Sequence, residues 1–385
     1  MSYLPIIKSI LDNDLYTLTV GQVAFKHFPN ARVQYQFINR GKTKFPKGFA
    51  EELTRQVNYM SLLSLAEDEA EWVSTRGYFC KEYVDYLREY RFNPSELTIV
   101  QEGEDLSVLF DGTWVSSIMW EVPFLALVSE LYYKMTGKTP DADWQVRMEN
   151  KAKNLSTNGC LWMEFGTRRR LSFDVQETVV KAMQRYTGFM GTSNMLLAYR
   201  HALTCLGTMS HQGPMAMQAL YGATLANKKW REHWIETYGS LLAVFLPDTF
   251  TTDVFLRDFT REEAMRWQLR QDSGSPDVWL QKILAFYKAN DVDSTQKTAV
   301  LSDSLDDVKF VDYTLRYRDL IKIVGGIGTN FTNDCGHTPL SIVIKLVAAD
   351  FGKGMVDVVK LSDSTGKYTG KPEAVTRTKE ELALP

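Results

Sequence analysis

Cysteine and histidine are scarce in this chain of 385 residues, with four of the first and five of the second. Cys80, Cys160, Cys205 and Cys335 include no C-x-x-C pair and no zinc spacing. Neither a disulfide framework nor a structural zinc site is expected, and the thiols read as reduced and mostly structural, as in a cytoplasmic protein. An excess of one charge is also missing. The 44 Lys and Arg against 47 Asp and Glu leave a net charge of −3, which gives no overall reason to bind nucleic acid or an anionic membrane. Apolar runs such as "LSIVI" and "SLLAVFL" fall far short of the roughly 18 residues a membrane helix needs. "MSYLPIIKSILDND" has no basic stretch ahead of a long apolar one, so it is not expected to be a signal peptide. An anionic small substrate would have to be held by local positive charge.

Hydrophobic residues make up 44% and charged residues 24% of the chain, enough for a substantial core. The first 120 or so residues read as an α+β region. "KGFAEELTRQVNYMSLL" and "EAEWVSTRGYFCKEYVDYLREY" are helical in pattern, and "ARVQYQFINRG" and "DLSVLFDGTWVSSIMWEVP" are strand-like. From Leu161 short apolar runs alternate with amphipathic helices: "LWMEFG", "LTCLGTM", "LLAVFLPD", "TAVLSDS" and "LIKIVGGIGT". In "DVQETVVKAMQRY", Val175, Val179, Ala182, Met183 and Tyr186 share one face, as do Leu280, Ile283, Leu284 and Tyr287 in "PDVWLQKILAFYKAND". This pattern predicts a parallel sheet covered by helices. At this size we expect a barrel or partial barrel, although periodicity does not decide between that and an open sheet.

Each apolar run ends in a polar cluster: "EFGTRRR", "GTMSHQ", "LPDTF", "SDSLD" and "GGIGTN". Catalytic groups of such barrels gather at the C-terminal ends of the strands, so five clusters in register point to one site. "GGIGTNFTND" (325–334) reads either as a phosphate cradle of exposed backbone N–H groups or as an ordinary turn. Asp272 in "RQDSGSPD" and Asp303 in "LSDSLD" are candidates for hydroxyl or Mg²⁺ contacts. Either could instead be a helix N-cap, a role for which Ser304 and Asp306 compete. The arginines of "EFGTRRR" supply local positive charge suited to carboxylate or phosphate, with one or two of the three expected to point inward. His211 follows "GTMS"; alone, it reads as a histidine hydrogen-bonded in a loop.

The motifs "LDNDLYTLTVGQ", "FGTRRR…QET", "GTSN", "GTMSHQ", "RQDSG", "SDSLD", "GIGT" with "TND", and "KLSDSTGK" occur in one order along nearly the whole chain, from Leu11 to Lys367. In this the chain resembles the nicotinate phosphoribosyltransferases, type II phosphoribosyltransferases. The resemblance implies an α/β protein: an irregular α/β barrel with an N-terminal α+β sandwich domain completed by C-terminal strands. The corresponding boundaries are 1–125 plus 340–385 for the sandwich and 126–339 for the barrel. It implies a homodimer with composite sites, and formation of nicotinate mononucleotide and pyrophosphate from nicotinate and phosphoribosyl pyrophosphate. ATP is implied as co-substrate and Mg²⁺ as cofactor.

By position, the resemblance makes His211 the residue phosphorylated transiently from ATP. Phe165 and Tyr16 would sandwich the pyridine ring, with Tyr16 coming from the partner subunit. Arg168 and Arg270 would lie near the nicotinate carboxylate and phosphates. Ser193 stands where sister enzymes that use nicotinamide carry an aspartate. Asp272 and Asp303 would contact ribose or Mg²⁺, and Gly326, Gly328 and Thr329 would hold the 5′-phosphate. The usual Gly-Thr-x-Ala-His-Glu-Trp pattern is altered here, with Ser210 before the histidine and Gln212–Gly213 after it. Two other readings are a sugar-phosphate lyase or aldolase using Lys322 or Lys345 as a Schiff base, and a barrel that binds nucleotide without turning it over.

Overall fold

The computed structural model describes residues 3–364 and 368–385; Thr365, Gly366 and Lys367 of the "KLSDSTGK" motif lie outside the described residues. Two sheets organise the chain. The first is antiparallel: β1 (Arg32–Asn39), β2 (Leu97–Glu102), β3 (Asp105–Thr113), β10 (Ile342–Asp350) and β11 (Val356–Asp357), in the order β11-β10-β1-β3-β2. In β1 the buried residues Val33, Tyr35 and Phe37 alternate with more accessible ones, as do Leu106, Val108 and Phe110 in β3. That is the pattern of a sheet with one face on the core. Strands from both ends of the chain meet here, with Tyr35 opposite Phe110 on one side and Leu346 on the other.

The second sheet is parallel: β4 (Trp162–Glu164), β5 (Phe189–Thr192), β6 (Val244–Phe245), β7 (Gln268–Gln271), β8 (Thr298–Leu301) and β9 (Lys322–Ile327), in the order β5-β4-β9-β8-β7-β6. Its edges are joined by the segment after residue 203. Thr192 forms a single parallel bridge with Cys205, and Thr208 Oγ1 donates to the Val244 carbonyl at 2.8 Å. A sheet closed on one side by a bridge and a side-chain hydrogen bond is an irregular barrel.

Two readings of local sequence are corrected, and one strand is added. "LTCLGTM" is not a strand, and His211 caps the helix Gln212–Tyr221. The strand β7 carries Gln268 and Arg270 and has no apolar run to announce it. The strand reading of "DLSVLFDGTWVSSIMWEVP" holds only to Thr113, whose hydroxyl accepts from the Ser116 N–H and starts a helix. Trp114–Met135 is long and apolar enough to cross a membrane by length and composition, but 94% of its apolar stretch is buried in the protein. It is the central core helix.

Candidate active site

The C-terminal ends of the parallel strands open into a cavity of about 420 Å³, floored on the other side by the antiparallel sheet. His211, Asp272, Asp303, Tyr16, Phe165, Arg168, Ser193, Arg270, Gly326, Gly328 and Thr329 all line it. The structure thus brings together every residue that the phosphoribosyltransferase resemblance singled out.

The chain threads its N-terminal loop across these strand ends. Leu11 and Asn13 carbonyls accept from the Leu196 and Met195 N–H groups, each at 2.8 Å, and the Leu15 N–H donates to the Ser193 carbonyl at 2.9 Å. That loop delivers Tyr16 at the first turn of the helix Leu15–His27 into the cavity of its own chain. Tyr16 of the same chain thus forms part of the cavity wall. Ser193 is also engaged locally, since its hydroxyl donates to Asp14 Oδ1 at 2.8 Å. A carboxylate therefore stands in this corner after all, supplied by residue 14. Burial pushes Asp14 up, against the pull of the Arg168 guanidinium.

The three arginines divide. Arg168 and Arg169 line the cavity, whereas Arg170 is fully buried behind it. Arg170 makes a two-pronged ion pair with Asp12, at 2.7 Å on each prong, and Gln176 Oε1 accepts from it at 3.1 Å. Gln176, from the "QET" motif, also donates to Glu164 and Thr167. These contacts pin the N-terminal loop to the barrel. Arg170→Met would leave Asp12 charged and buried, so a loss of about 3–5 kcal/mol is expected in urea unfolding. Arg169→Met, facing the cavity, should cost under about 1 kcal/mol.

Phe165 follows β4, and its ring lies over Gly326 of β9, where an added Cβ would come within 2.5 Å of it. The glycine is required by the ring. Gly328 likewise backs onto the Phe165 carbonyl, with a built Cβ at 3.0 Å, and Thr329 begins the short helix that follows. At β8 the N-cap is Asp306, whose side chain accepts from the Lys309 N–H. Asp303 is thereby released from capping, and its Oδ1 accepts from Ser304 Oγ at 2.9 Å. Asp272 does not cap the next helix either, since that position belongs to Ser275.

His211 is held by residues from three distant segments. Its Nε2 lies 2.9 Å from Asp248 Oδ1 and 3.7 Å from Asp272 Oδ2. The other oxygen of Asp248 takes Ser273 Oγ at 2.5 Å and Lys360 Nζ at 3.0 Å. Burial, then the nearby Lys360 ammonium, lowers His211 to about 4 in spite of Asp248. Asp248 is lowered as well: despite burial, Lys360 and His211 hold it well below the usual carboxylate range. The imidazole is therefore neutral and the aspartate ionised, so Nε2 carries the proton toward Asp248 and Nδ1 keeps a lone pair. Gln212 is committed elsewhere. Its carbonyl accepts from Tyr35 Oη at 2.6 Å and Trp114 Nε1 at 3.1 Å, and its amide donates to Glu121 at 2.9 Å. A glutamate there would face Glu121 directly. Gly213 makes room for Trp230, whose indole lies 2.1 Å from a built Cβ.

Among the described residues the lining carries six cations (Arg40, Arg168, Arg169, Arg270, Lys345, Lys360) against four carboxylates (Asp14, Glu121, Asp272, Asp303). Burial, then repulsion from Lys360, brings Lys345 down to about 7 although Glu121 opposes it. Burial, then Arg168 and Arg40, brings Arg169 down to about 10. Crowded cations of this kind are relieved by a polyanion. Tyr16 Oη, Ser210 Oγ and Arg270 Nε are buried in the cavity wall without a hydrogen-bond partner among the described residues, groups for a ligand to satisfy. Lys322, in contrast, lies exposed at the start of β9.

Sequence reasoning left Asp14, Arg40, Glu121, Asp248 and Lys360 without a place in this site, and offered Lys345 only for the lyase reading. Asp14 and Lys360 sit inside the motifs "LDNDLY" and "KLSDS", and Asp248 closes the run "LLAVFLPD". Those were the available signals; Glu121 had none.

Comparison with known proteins follows the same lines. Residues 160–385 match the nicotinate phosphoribosyltransferase family, and residues 11–129 match the N-terminal domain of that family. A nicotinate phosphoribosyltransferase of Chromohalobacter salexigens is 40% identical over 98% of this chain and 99% of its own. That of Shigella boydii is 38% identical over 97% of this chain and 95% of its own. Among solved structures, the nicotinate phosphoribosyltransferase of Porphyromonas gingivalis superposes with a TM-score of 0.95 at 36% identity, covering 98% of this chain and all of that one. A putative nicotinate phosphoribosyltransferase from Saccharomyces cerevisiae gives 0.94 at 31% identity over the whole of both chains.

Proposed function

The chain belongs to the nicotinate phosphoribosyltransferase family, and on that premise we propose that its cavity joins nicotinate to phosphoribosyl pyrophosphate with coupled ATP hydrolysis. The observation that supports this reading best is the pairing of two features in one cavity. An aromatic face beside an uncommitted arginine (Phe165 and Arg168) shares it with a buried neutral imidazole (His211).

The pyridine ring stacks on Phe165 beside Tyr16, and Arg168 takes its carboxylate. The ring nitrogen attacks C1 of the ribose as the bond to pyrophosphate breaks, giving nicotinate mononucleotide and pyrophosphate. Gly326, Gly328 and Thr329 receive the 5′-phosphate. Arg40, Arg169, Arg270, Lys345 and Lys360 offset phosphate charge, and Asp272 and Asp303 stabilise the cationic ribosyl centre. Mg²⁺ keeps several waters and binds through one or two carboxylates plus substrate phosphates. Asp272 and Asp303, at the ends of neighbouring strands, suit that donor set, and the ion would neutralise the leaving pyrophosphate. For ATP coupling, Nδ1 of His211 attacks the γ-phosphorus and ADP leaves; water later cleaves the phosphoimidazole. The homodimer belongs to the same proposal, with Tyr16 serving its own subunit.

The test is the formation of nicotinate mononucleotide from the two substrates, with nicotinamide as the competing base. Nicotinate should win by at least about two orders of magnitude in kcat/KM, or about 2.7 kcal/mol, within reach of a charged hydrogen bond in a closed site. Equal use of both bases would overturn the assignment. A product trapped on Lys345 by borohydride would favour the lyase reading instead.

A further inference from the structure

Away from the cavity, the end of the helix Leu15–His27 meets the helix Ala223–Tyr238. His27, His233 and Glu236 gather there, with one ligand atom from each within 4.8 Å of the others. The two imidazole centroids are 4.8 Å apart, and Glu236 Oε2 stands 3.9 Å from Nδ1 of both rings. The edge of Phe28 closes one side against His233 at 4.9 Å. None of the three lines the cavity described above.

Hydrogen bonding decides which nitrogen of His27 is free. The Thr237 hydroxyl donates its single proton to the His233 carbonyl at 2.9 Å. Its oxygen therefore accepts from His27 Nε2, also at 2.9 Å. His27 is thus protonated at Nε2 and carries a lone pair at Nδ1, the nitrogen facing Glu236. Both ring nitrogens of His233 are buried without a hydrogen-bond partner among the described residues, an arrangement that a bound ion would relieve. Two imidazoles, one carboxylate and an outer hydroxyl orienting one ring are the donors of a three-ligand zinc site with its supporting shell.

We propose that His27, His233 and Glu236 form a binding site for a divalent transition ion of the zinc class, with a fourth position left for water. Ligand bonds of about 2.0–2.2 Å in a tetrahedron bring donor atoms to roughly 3.4 Å from one another. Glu236 is 63% exposed and able to follow the ion, and closing the gap between the two imidazoles requires a small turn of the His233 ring, which no hydrogen bond among the described residues holds. Imidazole donors favour zinc, nickel or copper over the magnesium expected at the oxygen-rich cavity. The ion ties the last turn of the helix that carries Tyr16 to the helix Ala223–Tyr238.

The full chain, stripped with a chelator, is titrated with Zn²⁺ and separately with Co²⁺. One equivalent should bind and raise Tm, and Co²⁺ should show the visible absorption of a low-coordinate site. His233→Ala and the exposed change Glu236→Gln should each weaken this equivalent by tenfold or more. Thr237→Val should weaken it by about tenfold through loss of the ring-orienting bond. Asp303→Asn, in the cavity, should leave it in place. If His233→Ala does not fold, Glu236→Gln and Thr237→Val carry the test. Zinc affinity unchanged in those two variants, or no zinc-dependent rise in Tm of the unaltered chain, would overturn the site.

Discussion

His211→Asn should form nicotinate mononucleotide with no acceleration by ATP and should hydrolyse no ATP. The replacement is chosen for its shape. An asparagine amide can still donate to Asp248, and Asp248 keeps Ser273 and Lys360, so the buried charge is not abandoned. What disappears is the nucleophilic lone pair. The base-transfer parts (Phe165, Arg168, Asp272, Asp303 and the glycines of β9) are separate side chains, so the ATP-independent rate should stay within about tenfold of its original value. Rates with and without ATP in both chains decide the matter. The pH profile is a second check. Because His211 sits near 4, below the ordinary 6.5, the neutral imidazole persists through pH 5–8, and the coupled step should not fall off near 6.5. The same shift has the opposite sign for stability. Between pH 6.5 and 4 the unfolded chain takes up a proton that the folded one refuses, so this group makes the fold less stable as pH falls.

Arg168→Met should lower kcat/KM for nicotinate by about 10²–10³-fold while leaving nicotinamide within about fivefold. That range corresponds to about 2.7–4 kcal/mol at ~1.4 kcal/mol per tenfold, reasonable for a charge-assisted contact in a closed cavity. Asp14 and Glu121, which Arg168 helps to keep ionised, are already pushed up by burial. They should take up protons once the guanidinium is gone, which limits the collateral damage. Arg168→Lys should recover part of the loss, since it keeps the charge but not the fork. Equal losses for the two bases would assign Arg168 to phosphate.

Much of the site was legible because barrel chemistry collects just past apolar runs. Phe165, Arg168, Asp303, Gly326 and Gly328 each follow or close such a run, and each lines the cavity. Legibility ended where placement depends on distant partners. Glu121 reaches the cavity from the core helix, where no local pattern marks it, and Lys345 reaches it from β10, where a lysine in an apolar run suggested only the lyase reading. The division of the three arginines was also hidden, because it is Asp12, 158 residues away, that turns Arg170 inward. Trp114–Met135 misled for a different reason. Its first residues favour strands, and burial on all sides erases the helical stripe; tertiary packing overrides propensity. The altered histidine motif needed structure to interpret. Gln212 answers Glu121, and the carboxylate that orients His211 is that of Asp248, a residue far along the chain.

The measurement that bears most directly on ATP coupling at His211 is the chemistry of a label from γ-labelled ATP and Mg²⁺. The account predicts an acid-labile, base-stable label on the unaltered chain, the pattern of phosphohistidine, located at His211 and absent from His211→Asn. A label that survives in His211→Asn, or an acid-stable one at Ser210, would contradict it.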